Sequence, residues 1–379
     1  MKKAKIFASG AMKIGEVSPA LFGSFVEHLG RCVYTGIFEP GHETADAEGF
    51  REDVLELVRG LGISNVRYPG GNFLSGYNWR DGIGRKENRP VRLDLAWETI
   101  ETNQFGTDEF VSWCRKAGAE PMIGVNMGTG SPKDAAELVE YCNHPGGTYL
   151  SDMRAENGYR EPHGIKTWCL GNEMDGPWQI CSLTAEDYGK KALAAARMMR
   201  MVDPSIKLVA CGSSSAEMET FPDWDRHILE TLYDEADYIS IHQYYWPRWE
   251  EADYLASYLE MDNYIKDVKA TIDYVKAKRR SRKRMAISFD EWNIWYQRRQ
   301  WESGWKAAPR KLEDIYSYTD ALVFSGLLNT LINNCDIVKF ACLAQLVNVI
   351  APIFTEPGGS AVKQTIYYPF ELASRYGRG

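Results

Sequence analysis

One stretch decides the fold: Trp168-Cys169-Leu170-Gly171-Asn172-Glu173. It is the end of an apolar, strand-like run that begins at Ile165 and stops at a glycine, after which an asparagine and a glutamate follow at once. The same arrangement recurs more than a hundred residues later, where Met285-Ala286-Ile287-Ser288-Phe289 leads into Asp290-Glu291-Trp292. Two strands of the buried type therefore each deliver a carboxylate at their C-terminal end.

Short apolar runs of this kind alternate with helical periods along the chain. One helix start is marked by Ser131, Pro132 and Asp134, which supply an N-cap, a first-position proline and a first-turn acid. Apolar runs bounded by such signals predict strands. The predicted strands cover residues 21–26, 63–68, 121–126, 165–170, 206–211, 238–242, 286–289 and 337–343.

These eight strands predict an α/β fold of the (β/α)8 TIM-barrel type. Strands that alternate with helices form a parallel sheet, and continuous apolar runs indicate that both faces of the sheet are buried. Eight is the number of strands that closes a TIM barrel. A doubly wound open sheet is the alternative, but no Gly-x-Gly-x-x-Gly follows the first strand, which disfavours its dinucleotide-binding form.

Polar residues stand at or just after the C-terminal end of most predicted strands. In a TIM barrel these ends meet at one rim, where the active site lies. The residues concerned are Glu27, His28, Arg67, Asn72, Asn126, Asn172, Glu173, His242, Gln243, Tyr244, Glu291, Gln345 and Asn348. A barrel places all of them around one mouth.

Two of these rim residues, Glu173 and Glu291, follow the fourth and seventh strands, which lie across from each other in an eight-stranded barrel. Hydrolysis of a glycosidic bond requires a pair of carboxylic acids on either side of the sugar. The alternative is that each carboxylate is only the ion-paired end of a strand. Two glutamates in matching positions, each beside Asn or Trp, favour the catalytic interpretation.

Three neighbouring features have a structural and a functional interpretation. His242 is either a hydrogen-bonded core histidine or a support for the site. The glycines of Arg67-Tyr68-Pro69-Gly70-Gly71-Asn72 form either a plain turn or a place where the backbone approaches a ligand closely. Arg67 itself needs a carboxylate partner if it is buried at a strand end.

Composition excludes several classes of partner. Lys and Arg total 44 against 52 Asp and Glu, and a net charge of −8 argues against nucleic acid or an anionic membrane as partner. The basic run at 276–284 reads either as a nucleic-acid patch or, more simply, as a helix end where cations suit the dipole. No window of eighteen apolar residues exists, so we expect no membrane span.

Cysteine and histidine usage predicts neither a metal site nor a disulfide framework. The eight cysteines form no C-x-x-C pair, and the six histidines are scattered. Cys169, Cys211 and Cys342 fall in strand-like runs, where a thiol behaves as a small hydrophobe. We therefore expect reduced cysteines, a cytoplasmic location and a reaction that uses no metal or organic cofactor.

Five motifs, in order along the chain, resemble the α-L-arabinofuranosidases of glycoside hydrolase family 51. They are Phe25-Val26-Glu27-His28-Leu29-Gly30, Arg67-Tyr68-Pro69-Gly70-Gly71-Asn72, Gly171-Asn172-Glu173-Met174-Asp175-Gly176-Pro177-Trp178-Gln179, Phe289-Asp290-Glu291-Trp292-Asn293 and Ala344-Gln345-Leu346-Val347-Asn348-Val349. The resemblance implies a retaining, exo-acting enzyme that removes terminal arabinofuranosyl groups from oligosaccharides or polysaccharide side chains. It also suggests a homo-oligomer.

The same resemblance assigns roles to residues of this sequence. Glu173 is similar to the family's general acid/base, and Glu291 to its nucleophile. The substrate-binding set it implies is Glu27, Arg67, Asn72, Asn172, Tyr244, Trp295 and Gln345. His242 and Trp178 are expected to support the site, with Trp178 and Trp301 on the leaving-group side.

Members of this family usually continue past the barrel into a β-sandwich domain. The sequence ends at Gly379, so we expect residues 1–16 to be a strand segment of a sandwich that is absent, and 17–379 to be the catalytic barrel. Another retaining glycosidase of the same clan, such as a β-xylosidase or endoglucanase, is the nearest rival function. A catalytically silent sugar-binding barrel is the rival from another class.

Overall fold

The computed structural model describes residues 5, 7, 9–296, 302 and 304–378. Its strands, numbered along the chain, are β1 (Gly23–Phe25), β2 (Asn65–Tyr68), β3 (Arg92–Asp94), β4 (Thr99–Glu101), β5 (Glu120–Val125), β6 (Thr167–Leu170), β7 (Lys207–Cys211), β8 (Tyr238–Tyr245), β9 (Ala286–Ile294), β10 (Val338–Ala344), β11 (Ile353–Thr355) and β12 (Ala361–Lys363).

Ten α-helices are present in the described ranges, together with five short 3-10 helices. They are α1 (Glu52–Leu61), α2 (Thr107–Ala117), α3 (Pro132–Asn143), α4 (Tyr149–Glu156), α5 (Ala185–Val202), α6 (Asp223–Leu232), α7 (Glu251–Leu255), α8 (Ser257–Arg279), α9 (Tyr318–Asn333) and α10 (Tyr367–Tyr376). In that part of the chain no helix has both the length and the apolar character needed to cross a membrane.

Eight of the strands close a parallel barrel in the order β1-β10-β9-β8-β7-β6-β5-β2. All eight strands predicted from the apolar runs are present, and the TIM-barrel prediction is confirmed. β3 pairs with β4, and β11 with β12, as separate antiparallel hairpins. The hairpins belong to the loops that follow β2 and β10.

Local signals in the sequence set the helix ends. The Ser131 side chain accepts a hydrogen bond from the Asp134 backbone N–H, and Pro132 occupies the first turn of α3. Gly62 ends α1 in the left-handed conformation, with φ of 74°, which costs glycine little. These caps fix the residues at which α3 begins and α1 ends, and so where the chain joins the barrel strands.

The interior of the barrel below the mouth is filled by a small apolar cluster. Its members are Phe25, Met122, Cys169, Val209, Cys342 and Ala344, all buried. The guanidinium of Arg67 lies 4.8 Å above the ring of Phe25, so the polar mouth begins directly on this layer. Cys169, Cys211 and Cys342 are buried and free, as their apolar sequence context predicted.

Two strands extend further than their sequences predicted. β8 continues past His242 to Tyr245, and β9 continues past Phe289 to Ile294. Their polar residues ended the predicted runs, whereas the two strands continue to pair with each other at the mouth, from His242 opposite Glu291 to Tyr245 opposite Ile294. At the start of the chain, Gly10–Met12 forms a single turn of 3-10 helix.

Candidate active site

Three polar side chains, two from strands and one from the turn after a third strand, meet at the centre of the barrel mouth. Glu173 follows β6, while His242 on β8 is the pairing partner of Glu291 on β9. One carboxylate oxygen of each glutamate and a ring nitrogen of His242 all lie within 4.8 Å of one another. All three residues are buried, so their charges act on each other with little screening by water.

Glu291 is held from both sides by side chains of other strands. Arg67 on β2 donates from Nη1 to Glu291 Oε1 at 2.6 Å. Tyr244 on β8 donates its hydroxyl to Glu291 Oε2 at 2.7 Å. The second guanidinium nitrogen of Arg67 donates to Asn172 Oδ1 at 2.6 Å, so one buried arginine links the two strand-end motifs. These charge-assisted bonds fix the direction of the Glu291 carboxylate.

Glu173 sits on a tight turn directly after β6. Gly171 and Glu173 both have positive φ, of 93° and 43°, and such a conformation is uncommon for a glutamate. Trp178 donates its indole N–H to Glu173 Oε2 at 2.7 Å, and His242 Nδ1 lies 2.9 Å from Glu173 Oε1. The turn therefore carries the carboxylate into the mouth, and two rings hold it there.

His242 is bound to a second acid that the sequence did not single out. His242 Nε2 lies 3.1 Å from Asp290 Oδ1, and Asp290 also accepts a hydrogen bond from Ser240. Burial alone would lower the pKa of His242, but Glu291, Asp290 and Glu173 together raise it to about 10. The imidazole is thus a cation at neutral pH, between the carboxyl groups of Glu173, Asp290 and Glu291.

Glu27, at the end of β1, forms a further wall of the mouth. Phe73 N–H and Trp97 Nε1 donate to its Oε1 at 3.1 and 2.9 Å, and Gln345 Nε2 donates to its Oε2 at 2.9 Å. Burial and the charge of Glu291 raise the pKa of Glu27 to about 8. Trp97, in the turn between β3 and β4, was not predicted, because nothing in its local sequence points to the barrel.

The glycine pair after β2 lies against these carboxylates. A methyl group on Gly71 would lie 3.1 Å from Glu291 Oε1 and 3.5 Å from both Asn172 Nδ2 and Glu27 Oε2. One on Gly70 would lie 2.8 Å from Glu27 Cγ. The backbone of this turn thus lies close to the Glu27 and Glu291 carboxylates, and its approach to a ligand stays a prediction.

The remaining predicted residues lie around the same mouth. Asn72 is half-buried and begins a short 3-10 helix directly after Gly71. Trp295 follows β9 and packs edge-to-face on Tyr244, with ring centroids 5.5 Å apart. Trp178 is 49% exposed, so one side of its ring faces solvent beside Glu173. Trp301 lies outside the described residues.

Glu173, His242 and Glu291 are close enough together that a metal ion must be considered. The charge state of these three side chains does not suit a metal ion. A histidine ligand must be neutral, whereas the pKa of His242 is about 10, and both carboxylates already accept bonds from Arg67, Tyr244 or Trp178. Among the described residues, the three side chains thus already form hydrogen bonds with one another or with Arg67, Tyr244 and Trp178.

Comparison with known proteins identifies relatives over nearly the whole chain. The family model described as "Alpha-L-arabinofuranosidase 1 domain" matches residues 57–265, and that of the "Alpha-L-arabinofuranosidase C-terminal domain" matches 290–379. The prediction that the C-terminal domain is missing is therefore not confirmed. Residues of that second match form barrel elements from the end of β9 to α10, including the β11–β12 hairpin.

The chain is 57% identical over 373 residues to the intracellular exo-α-(1→5)-L-arabinofuranosidase of Halalkalibacterium halodurans, covering 97% of this chain and 75% of that protein. It is 50% identical to an exo-α-(1→6)-L-arabinofuranosidase of Bifidobacterium longum, covering 100% and 75%.

Two solved structures carry the same fold. A family 51 α-L-arabinofuranosidase of Bifidobacterium longum matches with a TM-score of 0.93 and 48% identity, over 96% of this chain and 74% of that chain. The arabinose complex of the Thermotoga maritima α-L-arabinofuranosidase matches with a TM-score of 0.87 and 41% identity, over 96% and 71%. With a family model over more than half of its length and relatives above 50% identity, this chain belongs to the α-L-arabinofuranosidase family.

Proposed function

We propose that this protein is a retaining, exo-acting α-L-arabinofuranosidase that releases terminal α-L-arabinofuranosyl groups by double displacement. The observation that carries the proposal is the spacing of Glu173 and Glu291, whose nearest oxygens lie within 4.8 Å. Retaining glycosidases hold their two carboxyl groups about 5–5.5 Å apart, whereas inverting enzymes leave about 6.5–9.5 Å for a water molecule. The spacing supports retention.

In the first step, Glu291 acts as the nucleophile. Its ionised carboxylate attacks the anomeric carbon, and the bond from that carbon to the leaving oxygen breaks as Glu173 gives this oxygen its proton. Arg67 and Tyr244 hold the attacking carboxylate at 2.6 and 2.7 Å, so little reorganisation is needed on attack. The product of this step is an arabinosyl ester of Glu291.

In the second step, Glu173 acts as a base. It takes a proton from water, the water oxygen bonds to the anomeric carbon, and the ester bond to Glu291 breaks. Both carboxylates return to their starting states. His242, as an imidazolium bound to Glu173 Oε1, supplies a positive charge that partly balances the ionised form of Glu173 between the two steps.

The residues around Glu173 and Glu291 are proposed to bind the substrate. The proposed substrate-binding residues around Glu291 are Glu27, Arg67, Asn72, Asn172, Tyr244, Trp295 and Gln345, and polar groups of this kind recognise sugar hydroxyls. Gln345 Oε1 is buried and has no partner among the described residues, so it is free to accept a hydroxyl of the sugar. Trp178, exposed beside Glu173, suits the leaving-group side.

The first test is release of p-nitrophenol from p-nitrophenyl α-L-arabinofuranoside by the purified chain, with Glu291→Ala as control. We expect turnover that the substitution abolishes, and NMR of the first-formed sugar should show the retained anomer. Inversion, or equal turnover of a β-xyloside or cellobioside, would contradict the proposal. A folded wild type that binds arabinose without turning over the arabinofuranoside would indicate the silent sugar-binding barrel.

Glu173→Ala tests the acid role separately. We expect a large loss on methyl α-L-arabinofuranoside, whose alkoxide leaves poorly, and a small loss on the p-nitrophenyl glycoside, whose leaving group needs little protonation. Equal losses on the two substrates would count against Glu173 as the acid.

Three broader properties are proposed with this function. The substrates are arabinose-containing oligosaccharides or polysaccharide side chains, and the names of relatives that cleave α-(1→5) or α-(1→6) linkages support this class. The names of those called intracellular support a cytoplasmic location. A homo-oligomer, and a division into residues 1–16 and a barrel of 17–379, rest on the family resemblance alone.

A further inference from the structure

The Asn293 side chain joins the strand of the proposed nucleophile to the loop that follows β10. Asn293 is fully buried on β9, two residues beyond Glu291. Its amide nitrogen donates to the Ala344 carbonyl at 2.7 Å and to the Ile350 carbonyl, and its Oδ1 accepts from the Ile294 backbone N–H at 2.7 Å. Both N–H groups and the oxygen of this amide are therefore engaged with backbone.

These bonds bracket the loop of residues 345–352, which connects β10 to β11. The last paired residues of β9 and β10 are Trp292 and Leu343, and Ala344 is the final residue of β10. The side chain of Asn293 thus binds the neighbouring strand at the point where backbone pairing ends. It fixes the place from which the loop leaves the barrel.

The other end of the loop is held in a strained conformation. Ile350 has a φ of 39°, which a β-branched residue adopts only when its surroundings impose it. Its N–H donates to the Leu312 carbonyl at 2.8 Å, and its carbonyl accepts from Asn293. Hydrogen bonds from outside the loop therefore maintain this conformation.

Gln345 is the first residue of the loop and belongs to the proposed substrate-binding set. Its Nε2 donates to Glu27 Oε2 at 2.9 Å, while its Oε1 is buried without a hydrogen-bond partner in the part of the chain that the structure describes. The Ala344 carbonyl and the Gln345 nitrogen belong to one planar peptide unit, and that nitrogen donates to the Val349 carbonyl at 3.3 Å. Asn293 thus holds one side of the peptide plane from which the Gln345 side chain starts.

We propose that Asn293 is a positioning residue for substrate binding, which holds the Ala344 carbonyl so that Gln345 presents its Oε1 to a hydroxyl of the arabinofuranosyl group. The inference rests on the proposed function, in which Gln345 binds the sugar. Because residues two apart on a strand share a face, β9 can set the positions of both Glu291 and the Gln345 loop relative to one sugar.

Gln364 provides a matched control for Asn293. Its buried amide makes the same kinds of bond: Nε2 donates to the Ala351 carbonyl at 2.9 Å and the Asp314 carbonyl at 3.0 Å, and Oε1 accepts from the Tyr316 backbone N–H at 3.2 Å. It holds the same loop, but at the end far from Gln345. Removal of either amide should therefore weaken the fold to a similar degree.

A double-mutant cycle tests whether Asn293 acts through Gln345. The measurement is kcat and KM on p-nitrophenyl α-L-arabinofuranoside for Asn293→Leu, Gln364→Met and Gln345→Ala, and for each of the first two combined with the third. We expect Asn293→Leu to lower kcat/KM by about 10-fold, as the loss of a hydrogen bond to the sugar does. The loss should divide between kcat and KM in the same way as that of Gln345→Ala.

In the Gln345→Ala background, Asn293→Leu should cost less than about twofold, since two residues that act through one contact are not additive. Gln364→Met should stay within about twofold of its parent in both backgrounds, because it lies outside this contact. Melting temperatures of the same proteins would report the structural cost of each substitution.

Other results would overturn the proposal. Unchanged kcat/KM in Asn293→Leu or in Gln345→Ala, or an equal loss from Asn293→Leu in both backgrounds, would show that Asn293 does not act through Gln345. An equal loss in Gln364→Met would show that any weakening of the loop suffices.

A second variant covers the case in which Asn293→Leu fails to fold. Asn293→Asp keeps the shape and the acceptor oxygen and enters the same cycle, and failure of both beside a folded Gln364→Met would indicate a purely structural role. Failure of the proposed function is separate, since it would appear as absence of arabinofuranoside turnover by the wild type.

Discussion

Adding a single methyl group at Gly71 should disable the site without unfolding the barrel. The alanine Cβ would lie 3.1 Å from Glu291 Oε1, closer than ordinary carbon–oxygen contacts, and 3.5 Å from Asn172 Nδ2 and Glu27 Oε2. Glu291 cannot turn away freely, because Arg67 holds the same oxygen at 2.6 Å. Either the carboxylate or the backbone of the turn must move by a few tenths of an ångström.

The expected loss of catalytic rate follows from this displacement of the carboxylate or of the turn. A misplacement of about 1 Å in a reacting group costs about 100-fold in rate. The shift at Gly71→Ala is smaller, but the methyl also occupies space in front of Glu291, the proposed nucleophile, where the proposed mechanism places the sugar. We expect a loss of about 100-fold in kcat/KM, which corresponds to about 2.7 kcal/mol of transition-state stabilisation.

The assay is hydrolysis of p-nitrophenyl α-L-arabinofuranoside, with the melting temperature as a check on folding. Gly41→Ala is the matched control, because a methyl group at Gly41 meets no atom within 4 Å. A Gly71→Ala enzyme within about threefold of wild type at an unchanged melting temperature would show that the turn does not limit the space around Glu291, and the reasoning would fail.

Two further predictions concern the hydrogen bond to the nucleophile and the buried acid on α6. Tyr244→Phe removes the 2.7 Å hydrogen bond to Glu291. Because a hydrogen bond to a charged group contributes this much, we expect kcat/KM to fall by about 10- to 100-fold. An unchanged rate would show that Arg67 alone orients the carboxylate. The pKa of Asp225 is raised to about 7, above its unfolded value, so the folded state loses stability as the pH rises from about 4 to 7. Asp225→Asn should therefore gain stability relative to wild type between pH 5 and pH 8 in urea titrations, and an equal difference at both pH values would refute this.

The sequence predicted those parts of the fold and of the site that depend on local patterns of apolar and polar residues. Eight apolar runs became eight barrel strands, because a strand buried on both faces must be apolar along its length. Glu173 and Glu291 could be placed at one mouth because parallel strands in a barrel share an orientation. The ends of β8 and β9 were predicted too early, since polar residues in a mouth look like the end of a strand.

Contacts between distant segments could not be predicted in this way. Trp97 reaches Glu27 only because the β3–β4 hairpin folds over the mouth, and its surrounding sequence has no barrel periodicity. The contact between Asp290 and His242 could not be predicted, because successive residues of a strand are expected to point to opposite faces of the sheet. This contact depends on a register shift between Ser240 and His242, which only the three-dimensional structure reveals.

The hydrogen bonds that hold the Glu291 side chain affect which parts of the sequence can change without moving it. Among the described residues, the Glu291 carboxylate accepts hydrogen bonds from Arg67 and Tyr244, which both lie on barrel strands. Insertions and exchanges in the surface loops can therefore reshape the entrance while Glu291 stays in register with the sheet. Changes in the loops can thus alter which sugar chains reach the site, whereas the anchorage of Glu291 is carried by the barrel strands themselves.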